Sequence, residues 1–399
     1  MMRIFGLLVV NVLAVIVAVW VIGDLVATRA MRRAGDEIWP AGLGTLASAE
    51  ARARPQKTND AARRLVALSA PLGITLKTGA PKDPVMAAFA EYVKAEYVRA
   101  EPAIGEPPAG ILSFFSAHET EIDALRDHLL RAEPITWDLD VSKGFDAPIP
   151  NLLGQMQVSW LLSARALVRA RGDDVRAGDD LHAVWRLRHS LESRSELISQ
   201  LIALAMARTV NAVAWKLPAA NMDWLEETRK VDHRRLLLGA YQFDTWMIWR
   251  YVEGSTMGAS MTTVRPYFRR SIADTTHRQR LVAEEVAAMT ACRFDGAAFS
   301  KRMTESIPEW NIFAQIAMPN FGAVWQRAFR TLAEREATMN AMRIAQGQPI
   351  VAQSVCSDGA WRYENDRLSF SIDLPQGNES ERAMPLSLAI PARGTRRSI

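Results

Sequence analysis

One apolar segment at the start of the chain limits the folds that are open to it. From Ile4 to Gly23 the sequence is apolar except for Asn11, and no other stretch of the chain repeats this pattern. A helix of about 20 apolar residues matches the hydrocarbon thickness of a bilayer. The sequence therefore predicts a single transmembrane helix within residues 1–28, with residues 4–23 in the membrane and a large following part that faces water.

A cleaved signal peptide is the alternative interpretation of this segment. Signal peptides have a shorter apolar region, of about 7–15 residues, and small residues at the cleavage site. Here Arg29 lies within Leu25 to Ala30, where small and neutral residues would be needed. The length of the apolar run and the position of this arginine favour a retained signal-anchor.

The charges on the two sides of the segment bear on its orientation. Arg3 precedes it, whereas Arg29, Arg32 and Arg33 follow it. A count of basic residues would keep the C-terminal side in the cytoplasm, but long downstream domains are translocated largely regardless of charge. We expect a single-pass protein of the bacterial inner membrane with its water-facing part in the periplasm, and the cytoplasmic orientation is the alternative.

Helical spacing of apolar residues dominates the rest of the chain and predicts a mainly α fold. Alternation occurs near the C-terminus, where two short stretches flank Asn365-Asp366 and predict a β-hairpin. Composition, Gly and Pro divide the chain after the anchor into five segments. They are a linker or helical stalk (29–60), short helices with Pro-rich loops (61–150), an α-helical body (151–346), a β-hairpin tail (347–375) and a disordered C-terminus (376–399).

The body contains the clearest helical pattern. Two apolar-periodic stretches, 152–170 and 177–191, are separated by Gly172-Asp173, and a third runs over 197–215. Paired helices of this length with a short Gly-containing turn are similar to a tetratricopeptide-type hairpin, although one hairpin does not establish a repeat array. We therefore predict stacked helix hairpins that are tetratricopeptide-like in part.

The chain contains two cysteines, Cys292 in a helix-like run and Cys356 in the C-terminal tail. In an oxidising compartment they would be able to form one disulfide that ties the tail to the helical body. Spacing alone does not establish a bridge, so a buried free thiol beside an exposed one is the alternative. No cysteine spacing typical of a metal site is present.

The formal net charge of +4 is spread along the chain, with one denser basic stretch that includes Tyr267 and Phe268. At a membrane, the expected ligands of such a stretch are anionic lipid headgroups or an anionic polymer other than nucleic acid. A solvated loop is the competing interpretation. The arginines of this stretch are Arg265, Arg269, Arg270, Arg278 and Arg280.

Sequence signatures of catalysis are absent. The chain contains no Walker A, Gly-x-Ser-x-Gly or Gly-x-Gly-x-x-Gly pattern. His182 and His189 share a helix face, but no third ligand follows from spacing, so we expect no metal site and no cofactor. Asp138 and Asp140, beside Trp137 in a predicted loop, are the acidic pair best placed to line a sugar-binding cleft.

Four segments of the chain resemble a family of uncharacterised bacterial proteins that join an N-terminal membrane helix to an α-helical body with a short β-tail. They are Leu197-Ile198-Ser199-Gln200-Leu201, Gly172-Asp173 with Ala177, Asn311 to Pro319, and Gly359 to Tyr363. The likeness covers roughly residues 150–372. It implies the architecture of that family and carries no information about chemistry.

These observations predict a membrane-anchored interaction or scaffold protein of the bacterial cell envelope, with no assignable reaction. Stacked helix hairpins offer concave surfaces to peptides and partner helices. A protein partner is expected on the first three helices of the body, at residues that include Trp160, Trp185 and Gln200. The alternative is an envelope hydrolase that acts on a glycan through Asp138 and Asp140.

Overall fold

The computed structural model describes residues 2–76, 84–218, 222–254, 262–318, 321–374 and 383–391. This part of the chain contains fifteen α-helices and one antiparallel sheet of three short strands, which confirms the predicted mainly α class with a small C-terminal β element. The helices are α1 (Met2–Asp36), α2 (Leu46–Arg52), α3 (Asp60–Ser69), α4 (Pro84–Tyr97), α5 (Ala109–Ala117), α6 (Glu119–Arg131), α7 (Leu152–Arg171), α8 (Ala177–Glu192), α9 (Leu197–Ala214), α10 (Leu225–Thr228), α11 (His233–Gly254), α12 (Arg265–Ala288), α13 (Gly296–Glu305), α14 (Ile312–Ala317) and α15 (Phe321–Ala345). The strands are β1 (Trp361–Glu364), β2 (Arg367–Phe370) and β3 (Ser387–Ala389).

The chain divides into two compact units, each assembled from separate stretches of sequence. Unit 1 contains Met1–Ala53, Leu238–Ala288 and Ala297–Phe321. Unit 2 contains Arg54–Leu237, Met289–Gly296 and Gly322–Ile399. The segments predicted from composition are continuous in sequence, and so they do not follow this division.

The N-terminal helix extends beyond the predicted anchor. It runs without a break to Asp36, so residues after 28, predicted as the start of a linker or stalk, continue it. Its earlier part is exposed, as at Val15, whose exposed fraction is 61%. Met31, in contrast, is buried in a small apolar cluster with Ile272 of α12. The two parts of α1 therefore have different surroundings within unit 1.

Two helices of the described residues are long and apolar enough to cross a membrane. The most apolar window of Val10–Asp36 in α1 has a mean hydropathy of 2.4 and is 6% buried, whereas the corresponding window of α9 is 67% buried. Some core helices and signal sequences also meet these two criteria of length and hydropathy. Exposure separates α1 from α9, because a helix that is apolar all round and buried belongs to a core.

The core of unit 2 is centred on three consecutive helices, with α7 packed on α8 and α8 on α9. Asn151 caps α7, since its side-chain oxygen accepts a hydrogen bond from the backbone N–H of Gly154 at 3.0 Å. A Cβ at Gly154 would lie 2.2 Å from the carbonyl oxygen of Thr75, so a larger residue does not fit there. Leu161 and Leu181 are fully buried, and burial of each such side chain contributes about 1.5–3 kcal/mol.

The predicted hairpin between β1 and β2 is present in the C-terminal sheet. Its two turn residues, Asn365 and Asp366, both have positive φ, of 50° and 57°. A two-residue turn of this kind matches the twist of the strands, and Asn and Asp tolerate the left-handed conformation it requires. The local sequence is therefore sufficient to specify this element.

A third strand, β3, pairs with the other edge of β2 and corrects the predicted disorder of residues 376–399. Leu388 of β3 lies opposite Leu368 of β2, and both side chains are fully buried. The Gly, Pro, Ser and Arg content of this tail suggested disorder, but β3 is held by its pairing with β2, by the buried Leu388 and by a hydrogen bond from the backbone N–H of Ala389 to the carbonyl oxygen of Ala100 at 2.8 Å. Residues 375–382 and 392–399 lie outside the described residues.

Candidate functional site

Unit 2 contains a cleft of about 470 Å³ that is lined by helices α4, α7, α9 and α15. Its walls are apolar on the α7 side and along part of α9, and they carry charged side chains from α4, α9 and α15. The lining residues are Glu91, Lys94, Tyr97, Met156, Trp160, Leu201, Leu204, Ala205, Arg208, Thr209 and Arg327. The cleft thus combines an apolar surface with charged groups, as ligand sites commonly do.

Two aromatic rings shape one side of the cleft. The Trp160 ring is half-buried, and Lys94 Nζ lies 5.7 Å from its centroid. The Tyr97 hydroxyl donates a hydrogen bond to Thr209 Oγ1 at 2.7 Å. Burial raises the pKa of Tyr97, so this hydroxyl stays protonated and neutral. Rings held in this way offer flat apolar surfaces to a ligand.

The side chains that line the cleft carry more positive than negative charge. Lys94, Arg208 and Arg327 are cationic, and Glu91 is the one carboxylate among the described lining residues. Burial, together with the nearby Arg208, lowers the pKa of Arg327. Arginine nevertheless stays protonated at neutral pH. Cations thus outnumber carboxylates among the lining side chains, with Lys94 paired to Glu91 at 3.2 Å.

A buried carboxylate fixes the orientation of Arg208. The Nε and Nη2 atoms of Arg208 donate hydrogen bonds to the two carboxylate oxygens of Glu334, each at 2.9 Å. Glu334 is fully buried and also accepts a hydrogen bond from Arg330 Nε at 3.2 Å. Burial alone would lower the pKa of Arg208, but Glu334 raises it above its ordinary value. A bidentate pair of this kind holds the guanidinium in one orientation.

The residues predicted to face a partner occupy three different environments. Trp160 lines the cleft. Trp185 is 1% exposed and lies in the core of unit 2. Gln200 is buried, and its Nε2 donates to the carbonyl oxygens of Leu191 and Arg194, at 2.9 and 2.6 Å, where α8 ends. Of the three, Trp160 is the residue placed to contact a ligand.

Asp138 and Asp140 each have separate structural partners. Asp138 Oδ1 accepts a hydrogen bond from the backbone N–H of Thr58 at 2.8 Å. Asp140 Oδ1 accepts from the N–H and the hydroxyl of Ser142, at 3.1 and 2.5 Å. Ser142 lowers the pKa of the Asp140 carboxyl, whereas a general acid at neutral pH needs a raised pKa. The glycan-hydrolase alternative through these two residues stays a prediction.

Two of the arginines predicted to contact lipid or polymer are held by α1. Arg265 Nη2 and Arg269 Nη1 lie 2.7 and 3.1 Å from Asp24 Oδ2. Arg269 Nη1 also donates to Thr28 Oγ1 at 2.7 Å. This stretch, for which a solvated loop was the competing interpretation, is thus helical from Arg265 onward and packs on α1.

A second ion-pair cluster joins α12 to Glu37, the residue that follows α1, further from the start of α12. Glu37 accepts hydrogen bonds from Arg280 Nε at 2.7 Å and from His277 Nδ1 at 2.9 Å. Burial acts to raise the pKa of Glu37, but His277 and Arg280 lower it overall. The order of the two clusters shows that α1 and α12 run parallel.

The remaining two arginines of the stretch contact residues of unit 1. Arg278 Nε lies 2.8 Å from Asp274 Oδ2, one turn earlier in α12. The Arg270 guanidinium lies over the Trp310 ring, 5.3 Å from its centroid. Four of the five arginines therefore pair with a carboxylate, which reduces the positive charge that this stretch presents.

Cys292 and Cys356 form a disulfide within unit 2, with their Cα atoms 5.2 Å apart. The Asp358 carboxylate reinforces the link, since it accepts hydrogen bonds from the backbone N–H groups of Cys292 and Arg293 at 2.8 and 3.0 Å. The bridge ties the segment Met289–Gly296 to the chain that leads into β1.

Sequence reasoning missed the cationic side of the cleft. Lys94, Arg208 and Arg327 lie on three helices that are far apart in sequence, and no local spacing relates them. One signal was available, because Arg330 and Glu334 are four residues apart and such a spacing indicates an ion pair on a helix. It gave no indication that Arg208 completes the cluster.

Comparison with known proteins adds no assignment: the chain matches no protein-family model, no curated protein and no solved structure. Within the described ranges, no group of three or more His, Cys, Asp or Glu side chains is arranged to hold a metal ion. The functional argument therefore rests on the exposed part of α1 and on the cleft of unit 2.

Proposed function

We propose that this chain is a membrane-anchored interaction protein of the bacterial cell envelope, with α1 as its transmembrane helix and the cleft of unit 2 as its binding site. The observation that carries the proposal is the contrast within α1. From Val10 to Val26 its apolar side chains are exposed except for the partly buried Trp20, and burial begins close to where Asp24 meets two arginines of unit 1. An exposed apolar helix of bilayer length is stable when lipid covers it.

The cleft supports the interaction part of the proposal. A partner segment with a carboxylate near Lys94 and Arg208, and an apolar side chain against Trp160, would satisfy both the charge and the apolar surface of the lining. Trp, Tyr and Arg are the residues most often found at energetic hot spots of interfaces. The helix hairpins, tetratricopeptide-like in part, belong to this proposal as the frame of a concave surface.

The substitution Lys94→Glu is expected to weaken the binding of an acidic, leucine-containing peptide about tenfold. The attraction between residue 94 and a carboxylate of the peptide then becomes a repulsion. The measurement is fluorescence anisotropy of the labelled peptide with the full chain in detergent. Lys143→Glu is the matched control, since Lys143 is exposed and is not a lining residue of the cleft. The affinity of the wild-type chain is also expected to fall as the salt concentration rises.

Two results would contradict the assignment of the cleft. Equal affinity for the wild type, Lys94→Glu and Lys143→Glu would mean that the peptide binds elsewhere. Preference for a basic peptide of the same length would mean that the charge of the site is opposite to the one proposed.

The disulfide supports a periplasmic location for the water-facing part, because disulfides persist in oxidising compartments. We therefore expect alkaline phosphatase, fused after residue 399, to be active in bacteria that express the chain. The exposed Arg29, Arg32 and Arg33 favour the opposite orientation. A fluorescent signal from a second fusion, with a protein that matures in the cytoplasm, would reverse the proposed orientation.

A further inference from the structure

Unit 1 carries exposed apolar side chains in addition to those of α1. Five of them, which we call the collar, come from three stretches of the chain that are separate in sequence. They are Tyr251, Val264, Trp310, Ile312 and Ile316. Exposed apolar groups indicate an interaction surface where they lie together, so the position of each member relative to α1 decides what the collar contacts.

The level of Val264 along α1 follows from the residues on either side of it. Both of them contact Trp20, near the end of the apolar run. Thr263 accepts a hydrogen bond at its carbonyl oxygen from Trp20 Nε1 at 3.0 Å, and the Arg265 guanidinium lies 5.0 Å from the centroid of the Trp20 ring. Tryptophan is the residue most typical of the boundary between hydrocarbon and headgroups. Val264 thus lies at the level where the membrane span ends.

Trp310 lies slightly further from the span. The Trp310 ring lies against the guanidinium of Arg270. The adjacent Arg269 donates a hydrogen bond to the hydroxyl of Thr28 in α1. Thr28 is about 8 Å along the helix axis from Gly23, at 1.5 Å per residue. The headgroup layer on each side of a bilayer is about 5–8 Å thick. Trp310 therefore lies at the level of the headgroups.

Tyr251 lies near the end of α11, which contacts the N-terminal segment. Gln242 Nε2 donates to the carbonyl oxygen of Gly44 at 3.1 Å, whereas Trp249 Nε1 donates to that of Met31 at 3.2 Å. Trp249 thus contacts α1 itself, whereas the next residue, Arg250, pairs with Glu50 of α2 at 2.6 Å. Tyr251 follows these two residues and is exposed.

The short helix α14 presents the other two members of the collar. Ile312 and Ile316 are four residues apart and therefore share one face of the helix. Phe313 points away from them and packs against the cluster that contains Ile272. Asn311 caps α14 and also donates its Nδ2 to Asp274 Oδ2 at 2.9 Å, which holds the helix against the first half of α12.

We propose that the collar lies in the headgroup region of the bilayer that α1 crosses, in contact with anionic lipids. This inference rests on the proposed membrane anchoring of α1. The apolar and aromatic members suit the interface, and Val264 follows Thr263, which bonds to Trp20 near the end of the apolar run of α1. The basic side chains of Arg29, Arg32 and Arg33, which are exposed on α1 at this level and just beyond it, select negatively charged headgroups.

The test measures how close single positions come to lipid. Ile316→Cys is labelled with an environment-sensitive fluorophore in the full chain, in nanodiscs of phosphatidylcholine and phosphatidylglycerol that contain a spin-labelled lipid. Ile38→Cys is the matched control, because Ile38 is also an exposed isoleucine of unit 1 (74% against 80%) and follows the end of α1 at Asp36, about 20 Å along the helix axis from Gly23. Val15→Cys reports on the span itself.

We expect the spin-labelled lipid to quench the label at 316 at least about twofold more than the label at 38. The difference should shrink when phosphatidylglycerol is left out. Strong quenching at 15 with equal, weak quenching at 316 and 38 would overturn the inference and leave the anchor in place. Weak quenching at all three positions would overturn the anchor and the collar together. All three side chains are exposed, so these variants are expected to fold.

Discussion

Replacing Glu334 with alanine is expected to lower the free energy of unfolding of unit 2 by about 3–5 kcal/mol, the usual cost of removing one partner of a buried ion pair. Glu334 is fully buried and accepts hydrogen bonds from both Arg208 and Arg330. Both guanidinium groups stay charged at neutral pH. Without the carboxylate, two like charges face each other where water has little access.

The effect should reach the C-terminal tail through Arg330. Its Nη1 and Nη2 atoms donate hydrogen bonds to the carbonyl oxygens of Leu374 and Met384, each at 2.7 Å. Because Arg330 would lose one of its anchors, we expect amide hydrogen exchange in β3 to become faster in the variant than in the wild type. Denaturant unfolding gives the loss of stability, and hydrogen exchange locates it.

Glu226→Ala is the matched control for this prediction. It also removes a carboxylate that pairs with an arginine, Arg229 at 3.1 Å, but both side chains are more than half exposed. An exposed pair contributes at most about 1 kcal/mol. If the two variants lost equal stability, the buried cluster would not have the role assigned to it.

Replacing Trp185 with alanine is expected to cost about 3–5 kcal/mol, as for other large aromatic residues removed from a core. The ring is 1% exposed, and the Arg188 guanidinium lies over it, 4.4 Å from its centroid. Thermal and denaturant unfolding of the full chain, with the disulfide intact, measure the loss. Trp185→Phe should retain part of the stability, because it fills part of the cavity.

Trp160→Ala is the informative comparison, because the same residue type is half-buried in the cleft. We expect it to lose less stability than Trp185→Ala and to bind the acidic peptide more weakly. A folded Trp185→Ala variant that had lost peptide binding would instead restore the partner-facing role predicted for Trp185.

The contrast between these two tryptophans shows which features of the structure could be predicted from the sequence and which could not. Apolar residues at helical spacing predicted α7, α8 and α9, because burying one face of a helix requires that spacing. The same spacing does not distinguish a ring that faces the core from one that lines a cleft. Trp160 and Trp185 both fit the pattern, and their environments are decided by neighbours such as Lys94 that lie on another helix.

Contacts between distant parts of the chain explain the other differences. The basic stretch at 265–280 was predicted as a surface for lipid or polymer, but Asp24 and Glu37, more than two hundred residues earlier, pair with three of its arginines. Local composition contains no information about such partners. The hairpin turn at Asn365-Asp366, in contrast, was predictable because its backbone conformation depends on those two residues themselves.

The unbroken course of α1 has a mechanical consequence. The helix leaves its exposed apolar part and continues to Asp36, and the pairs made by Asp24 and Glu37 bind it to α12 at two levels. A transmembrane helix that is too long for its bilayer accommodates the mismatch by tilting. Because α1 and α12 are joined in this way, such a tilt would turn unit 1 as a lever in the proposed membrane-anchored arrangement, and the thickness of the bilayer would set the angle of unit 1.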